Sequence, residues 1–322
     1  MSSELPVWKK KGLIYKCDNT GFFKSHTTRP IPYLINNERL RIFFSSRDEK
    51  DIPFATFIDV DPSDPHSVLN VNKTPMMDLG RKGTFDDSGI TPVSIINKGV
   101  KQPLMYYVGW KRRRYGVTIE TSIGVAKLKN DNSSLERIFE GPIIGQDRYH
   151  PILVAAPFVV SLTQGFKMWY CSGSEWRQQS HGPEMIYTVH DAYSTDGITW
   201  EKFSIKPKIN YAYSGEVISA PWVVKLTNGS MLMWYSTRGS ANPDEKNYMA
   251  GLATSDDGNV WIRRDSKVGI EKSKSGWDSE MICYPSILNF KNKTYMFYSG
   301  NGVGKGGIGY AVADKQLNIV EW

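Results

Sequence analysis

Three carboxylates recur at one place in a repeating pattern. Asp87, Glu216 and Glu280 each stand five residues before a proline, Pro92, Pro221 and Pro285 respectively, close to apolar runs. The equivalent residues before Pro30 and Pro157 are Ser25 and Ile152, and two further acids, Asp86 and Asp278, lie close by. A carboxylate on an apolar strand loses its hydration unless it is paired. Acids repeated at one structural position therefore read as a polar site where the repeats converge. Carboxylates held close together supply glycosyl chemistry: one protonates the leaving oxygen and another activates water or attacks the anomeric carbon. Crowding raises the pKa of one of them and keeps it protonated near neutral pH. Asp87 is the leading candidate for the acid or base, with Glu216 and Glu280 as partners. The competing use of the same acids is structural: capping strand ends or pairing with arginines.

A second aligned position adds binding groups. Three residues after a repeated aromatic stand Arg47, Trp110, Gly173, Arg238 and Asn301, with Asp48 and Trp176 as neighbours. His26 and Arg29 precede the first of the prolines, and Tyr284 precedes the last. Arginines facing a common space recognise phosphate or carboxylate through forked hydrogen bonds. Trp110, Trp176 and Tyr284 offer faces on which a sugar can stack.

These positions are set by a repeat of about 64 residues. Its prolines are Pro30, Pro92, Pro157, Pro221 and Pro285, at intervals of 62, 65, 64 and 64. Its aromatics are Phe44, Tyr107, Tyr170, Tyr235 and Tyr298, at intervals of 63, 63, 65 and 63. Each unit holds three or four short runs rich in Tyr, Trp, Phe, Val and Ile, separated by Gly, Asn, Asp and Ser, which is the pattern of strands and turns. In the fourth unit ISAPWVVKL, the turn TNGS, MLMWYSTR, the polar loop SANPDEKN, YMAGLATS, DDGN and VWIRR follow in order. No stretch sustains a helical period. About four antiparallel strands repeated five times predicts an all-β, five-bladed β-propeller with blades near 20–80, 81–145, 146–208, 209–272 and 273–322. The inner strand of each blade lines a central channel, so the aligned residues converge at its mouth. The turns Ser194–Trp200 and Ser255–Trp261 combine Asp, Gly and Trp at fixed places and read as structural turns. Lys10–Lys16 is a candidate outer strand for the last blade, and LNIVEW at the C-terminus competes with it.

With 322 residues and no Pro/Gly/Ser linker, the chain reads as one closed ring. MSSELPVWKKKG lacks the apolar core of a signal peptide and no run approaches membrane-spanning length, so a cytoplasmic protein with no membrane insertion is expected. Cys17, Cys171 and Cys283 are few, odd in number and lack metal-ligand spacing; no metal site is expected. The formal net charge is +7. The basic run KRRR at 111–114 reads as a solvated loop. No nucleic-acid-binding motif accompanies the charge, which suits a small anionic substrate better than nucleic acid.

SHTTRPIP with FFSSRD, GTFDDSGITP with YYVGW, MWYCSGSEW, GEVISAPWVV with MWYSTRG, and GWDSEMICYPSI with MFYSGNGVG resemble the five-bladed propeller glycosidase superfamily, which includes glycoside hydrolase families 43, 32, 62, 68 and 130. Within it the chain is most similar to cytosolic glycosidase-like proteins found with bacterial surface-polysaccharide genes. The resemblance spans residues 8 to 313. It implies carbohydrate chemistry in the channel, and some relatives hold a calcium ion on the axis, although no ligand-loop spacing here calls for a divalent cation. Family 43 enzymes are expected to carry acids on their first three blades. Here the first blade offers Lys24, Ser25 and His26, the third offers His150, Ile152 and Leu153, and only Asp86 or Asp87 fits the second. That triad does not carry over. Family 130 relatives use a lone acid and bind phosphate through basic groups, which Arg29, Arg47, Arg238 and His26 parallel.

The leading expectation is a glycosidase-like enzyme, a hydrolase or phosphorylase. It would cleave or transfer a glycosidic or sugar-phosphate bond in a small anionic sugar, a sugar phosphate or a nucleotide sugar. Two alternatives stand beside it: a non-catalytic carbohydrate- or nucleotide-sugar-binding propeller, and a non-hydrolytic sugar-modifying enzyme.

Overall fold

The structure, a computed structural model, describes residues 5–112, 119–179, 182–202, 206–239 and 247–320. An N-terminal strand, β1 (Trp8–Tyr15), precedes the repeats. The first repeat forms β2 (Ser25–Asn36), β3 (Arg39–Arg47), β4 (Pro53–Val60) and β5 (Val68–Val71). The second forms β6 (Ile90–Ile96), β7 (Leu104–Arg112), β8 (Ile119–Leu128) and β9 (Leu135–Arg137). The third forms β10 (Leu153–Ser161), β11 (Phe166–Gln179) and β12 (Gly182–Ser194). The fourth forms β13 (Val217–Leu226), β14 (Met231–Arg238), β15 (Met249–Ser255) and β16 (Ile262–Arg263). The fifth forms β17 (Cys283–Phe290), β18 (Lys293–Ser299) and β19 (Ile308–Ala313), and a short β20 (Ile319–Val320) ends the described residues.

Each repeat is one antiparallel sheet, and the five sheets form a five-bladed propeller. The inner strands β2, β6, β10, β13 and β17 contact one another in ring order. The third blade departs from four strands: among the described residues it has three, and its fourth is reduced to a bridge between Tyr193 and Glu201. The fifth blade takes its outer strand from the other end of the chain, where β1 pairs antiparallel with β19. The C-terminal β20 instead pairs with the end of β13 in the fourth blade.

Apolar side chains alternate inward from both faces of each sheet and fill the wedges between blades. The repeat aromatics Phe44, Tyr107, Tyr170, Tyr235 and Tyr298 are all buried within these wedges. The repeat prolines mark a local break in register. Pairing of each inner strand with its neighbour shifts at Thr28/Ile31, Pro92/Ser94, Ala155/Phe158, Ser219/Trp222 and Cys283/Ser286. In four blades the residue before the proline has a left-handed backbone: Arg29 at φ 61°, Ala156 at 52°, Ala220 at 53° and Tyr284 at 55°. These are β-bulges, which bend the strand and re-aim a side chain.

The Asp-Gly turns are structural. Asp196 accepts from the amides of Ile198 and Thr199, and Asp257 accepts from those of Asn259 and Val260. The basic run at 111–114 does not begin as a loop, because Lys111 and Arg112 continue β7; Arg113 and Arg114 lie outside the described residues. Most of the polar loop at 240–247 lies outside them as well. No helix among the described residues is long and apolar enough to cross a membrane.

Candidate active site

A cavity of about 490 Å³ lies where the five inner strands meet, and all five blades contribute to its wall. Six of the residues singled out in the sequence line it: Arg29, Arg47, Trp110, Trp176, Arg238 and Tyr284. Of the five residues aligned after the repeat aromatics, Arg47, Trp110 and Arg238 are in the wall. Asn301 is not; it clamps the preceding loop by accepting from the amides of Glu280 and Met281 and donating to the Gly276 carbonyl.

The bulges explain how the floor is made. Ala156 and Ala220 are small and share one buried cluster with Tyr284, Cys171 and Cys283. Arg29 and Tyr284, at the equivalent bulges of the first and fifth blades, reach into the space left free. The Arg29 guanidinium carbon sits 4.2 Å from the Tyr284 ring centre. Tyr284 lies 5.8 Å from Tyr248, ring centre to ring centre, and Arg238 sits 4.9 Å from the Tyr248 ring. The result is a continuous wall of alternating character, Arg29, Tyr284, Tyr248 and Arg238, in which each cation faces an aromatic ring. The Tyr187 and Tyr248 hydroxyls hydrogen-bond to each other. Burial holds the Tyr248 and Tyr284 phenols above their ordinary pKa, so both are neutral. Across the cavity, Trp110 donates its ring N–H to Thr91 at 3.0 Å, which fixes the indole plane, and Trp176 stands partly exposed.

Among the described residues one carboxylate lines the cavity. It is Glu184 on β12, whose carboxylate receives the Arg238 guanidinium at 2.5 Å. A lone carboxylate beside three guanidinium groups is not a set that holds a divalent cation. Glu184, Tyr187 and Tyr248 escaped the sequence alignment because they lie on or beside the third strand of a blade rather than the first or second. The available signal is length: the β11–β12 hairpin runs to 14 and 13 residues, longer than its counterparts, and carries Trp176, Glu184 and Tyr187 over the channel mouth.

The aligned acids do not converge on the cavity. Asp86 is buried and accepts from the Tyr107 hydroxyl at 3.0 Å and from Arg137 at 2.8 Å. Asp278 accepts from the Tyr298 hydroxyl at 2.9 Å and from Lys10 of β1 at 2.8 Å. Glu216 is fully buried and takes a two-pronged bond from Arg263, at 2.6 and 2.7 Å, while Tyr235 donates to Asp265 at 2.5 Å. The arrangement recurs with one variation: in the second and fifth blades the repeat tyrosine and a base from the outermost strand both bond to an acid before the inner strand, and in the fourth Arg263 joins Glu216 to Asp265, which holds Tyr235. The first blade has no such acid and carries Phe44 where the others carry Tyr. In the third, His150 takes the place of the acid against Tyr170, at 5.8 Å between ring centres. The gap in blades one and three thus follows the clasp and not a catalytic constellation.

Asp87 accepts from the Gly83 amide at 2.7 Å and the Ser88 hydroxyl at 2.6 Å, in the turn before β6, and Glu280 is exposed before β17. Neither lines the cavity. Asp48 caps its own turn through the amides of Lys50 and Ile52. His26 is buried beside the cavity wall, bonded to Ser25, and burial together with the Arg47 charge pushes its pKa down to about 4.

A propeller whose five inner strands converge on one axial cavity is the architecture of the five-bladed glycoside hydrolases, and solved structures bear this out. The chain superposes on a glycoside hydrolase with a TM-score of 0.73 at 16% identity, covering 96% of this chain and 92% of the other. A glycosyl hydrolase from Bacteroides ovatus gives 0.72 at 15% identity, covering 98% and 96%. A member of the GH130 family of mannoside phosphorylases, which contains glycoside hydrolases that target beta-1,2 mannosidic linkages in Candida mannan, gives 0.67 at 13% identity, covering 97% and 95%. At these identities the likeness establishes the fold. No protein-family model matches the chain. In sequence it is 31% identical over 314 residues to Mycobacterium tuberculosis proteins, Uncharacterized protein Rv1502 and Uncharacterized protein MT1551, covering 96% of this chain and 99% of each of theirs. The chain belongs to the family of these proteins.

Proposed function

We propose that the protein is a glycosidase-like enzyme that cleaves or transfers the glycosidic bond of a small anionic sugar held in the axial cavity. The observation that carries this reading is the composition of the wall: three guanidinium groups, two tryptophans and, among the described residues, a single carboxylate around about 490 Å³. Indole faces suit the apolar face of a sugar ring, and guanidinium forks suit an acidic substituent. In this reading Glu184, in place of Asp87, Glu216 or Glu280, exchanges the proton with the departing oxygen. Arg238 orients Glu184 and is also within reach of the substrate's anion. Likeness to propeller glycoside hydrolases supports the reaction class. The three cysteines, none of them paired, suit a reducing compartment, and a substrate from bacterial surface-polysaccharide metabolism suits both.

The test is turnover of a panel of disaccharides of acidic and neutral sugars, whose alkoxide leaving groups need a proton, by the native protein and by Glu184→Gln. Loss of a general acid lowers turnover about 100-fold or more, with the melting temperature held. Equal turnover by the variant overturns the assignment of Glu184. A second reading, a binding propeller without catalysis, is favoured by one observation: the carboxylate in the cavity wall is already engaged by Arg238. Saturable binding of a sugar with no product after long incubation selects it.

A further inference from the structure

The three arginines of the cavity are not equivalent. Arg47 points its guanidinium at Asp51, with a 2.7 Å ion pair near the rim. Arg238 is paired with Glu184 at 2.5 Å. Arg29 has no carboxylate among the ion pairs of the described residues, and its Nη1 is buried without a hydrogen-bond partner. The aromatic ring of Tyr284 covers one face of it at 4.2 Å. A guanidinium partly withdrawn from water, with one nitrogen unsatisfied, is in a costly position that a bound anion relieves.

Its backbone is strained as well, in the bulge that three other blades share. Arg29 is carried by a bulge in which the residue itself adopts φ 61°, a backbone state that an L-residue enters at a cost of about 1–2 kcal/mol. Strain of this kind is retained where the surroundings over-determine it. The charge on Arg29 bears on Cys171 of the third blade and on both Cys283 and Tyr284 of the fifth. Arg29 lines the cavity shared by all five blades and stacks on Tyr284 of the fifth, which places it close to the propeller axis. Thr28 next to it is fixed through its hydroxyl to the Val303 carbonyl at 2.6 Å, and the Arg29 amide is bonded to Ser299 at 3.1 Å. The backbone carrying Arg29 is therefore anchored to the fifth blade on both counts.

Charge balance then selects the ligand. Among these three arginines, Asp51 and Glu184 account for one positive charge each, and Arg29 leaves one uncompensated. We propose that the cavity is built for a singly charged carboxylate, seated on Arg29 at the propeller axis, so that the substrate is a sugar acid and not a phosphorylated sugar. This deepens, and rests on, the reading of the cavity as a sugar site. A phosphate monoester carries close to two charges at neutral pH and would have to take Arg238 from Glu184 or Arg47 from Asp51. A planar carboxylate matches the guanidinium fork edge to edge and leaves both existing pairs in place. The aromatic side of the cavity, Trp110 and Trp176, would face the ring of the same sugar.

The test is binding by calorimetry and by change in tryptophan fluorescence, with the full chain. The probes are D-galacturonate, D-glucuronate, N-acetylneuraminate, D-glucose, D-glucose 1-phosphate, inorganic phosphate and acetate. The variants are Arg29→Met, Arg29→Lys and Arg47→Met. At least one sugar acid is expected to bind more tightly than glucose or glucose 1-phosphate, by about tenfold or more. Arg29→Met is expected to remove that advantage, Arg29→Lys to keep only part of it because the fork is lost, and Arg47→Met to change it less. Tighter binding of glucose 1-phosphate or phosphate than of every carboxylate overturns the proposal, as does carboxylate binding that survives Arg29→Met. If Arg29→Met fails to fold, competition between acetate and phosphate on the native protein decides the same question. The two readings fail separately. Arg29-dependent binding of acetate and sugar acids alike, with no preference for the sugar, upholds the carboxylate seat and removes the sugar site. Binding of neutral sugars that Arg29→Met does not alter removes the carboxylate seat and leaves the sugar site standing. Absence of binding by every probe overturns the carboxylate seat.

Discussion

Glu184 and Glu216 are both glutamates joined to an arginine, yet their surroundings assign them to different work. Glu216 has no exposed surface and its oxygens are taken up by Arg263, Thr237 and the Ala212 amide. Glu184 meets Arg238 inside an open cavity. Removing one member of a buried pair leaves the other charge uncompensated, at a cost of about 3–5 kcal/mol. Glu216→Gln is therefore expected to lower stability by about that amount in urea unfolding, while Glu184→Gln shifts the unfolding midpoint little and acts on turnover. If Glu216→Gln unfolds like the native protein, the clasp is not holding the fourth blade. Alignment of the repeats finds Asp87, Glu216 and Glu280, with Asp86 and Asp278 close by, but cannot tell a clasp from a catalytic group. The deciding partners, Arg137, Arg263 and Lys10, come from outer strands that the aligned positions do not include. Arg47, Trp110 and Arg238 were legible because a fixed step past a buried aromatic carries each strand to the same mouth.

At the scale of the strand, the repeat prolines were plain in the sequence and their purpose was not. A residue before proline is ordinarily extended, so nothing in the spacing announces a left-handed residue there. The bulge arises from tertiary packing, where each inner strand must bend to meet its neighbours at the axis. Ala156 at φ 52° gives a direct measure of the strain. Alanine-to-glycine changes inside strands normally destabilise by about 0.5–1 kcal/mol. At a left-handed position the glycine relieves about 1–2 kcal/mol, so Ala156→Gly is expected to be neutral or to raise stability by up to about 1.5 kcal/mol. A loss of about 1 kcal/mol in chemical denaturation would show that the bulge is relaxed as it stands. That the third blade has three strands among the described residues was likewise hidden, since a fourth strand differs from a loop only in its partners.

The ring as a whole is expected to be sensitive to acid through that third blade. His150 and His190 lie 4.7 Å apart between ring centres, both buried, against Tyr170. Asp147, Asp191, Lys202 and Lys208 surround them. Burial, then the other histidine and the two lysines, push the pKa of His190 from 6.5 down to about 3, and burial lowers His150 too. A depressed histidine binds its proton more readily when the chain is unfolded. Stability is then greatest above about pH 6.5 and falls as the pH drops toward the folded value. His190→Phe is expected to flatten this decline between pH 6.5 and 4.5, followed by urea unfolding at each pH; an unchanged slope would place the acid sensitivity elsewhere. Because every inner strand contacts the next around the axis, loosening of one blade withdraws support from two others. The five-fold architecture was legible in the sequence, since two markers keep step through it; the seam was not, because both chain ends offered a strand.

That seam has a consequence for how the protein is born. Trp8 lies opposite Ala313 in the closing pair of strands. On the ribosome β1 emerges ahead of every other blade strand and finds its partner only when the last blade has been made. Until then it has no neighbour, and the growing arc of blades has two raw edges. The closing contact joins opposite ends of the ring, and such distant contacts slow folding. A rearranged gene that starts at residue 16 and carries residues 5–15, joined by a short linker, after residue 320 would place β1 a short stretch of chain beyond its partner, with only β20 and the linker between them, turning the seam into a local contact.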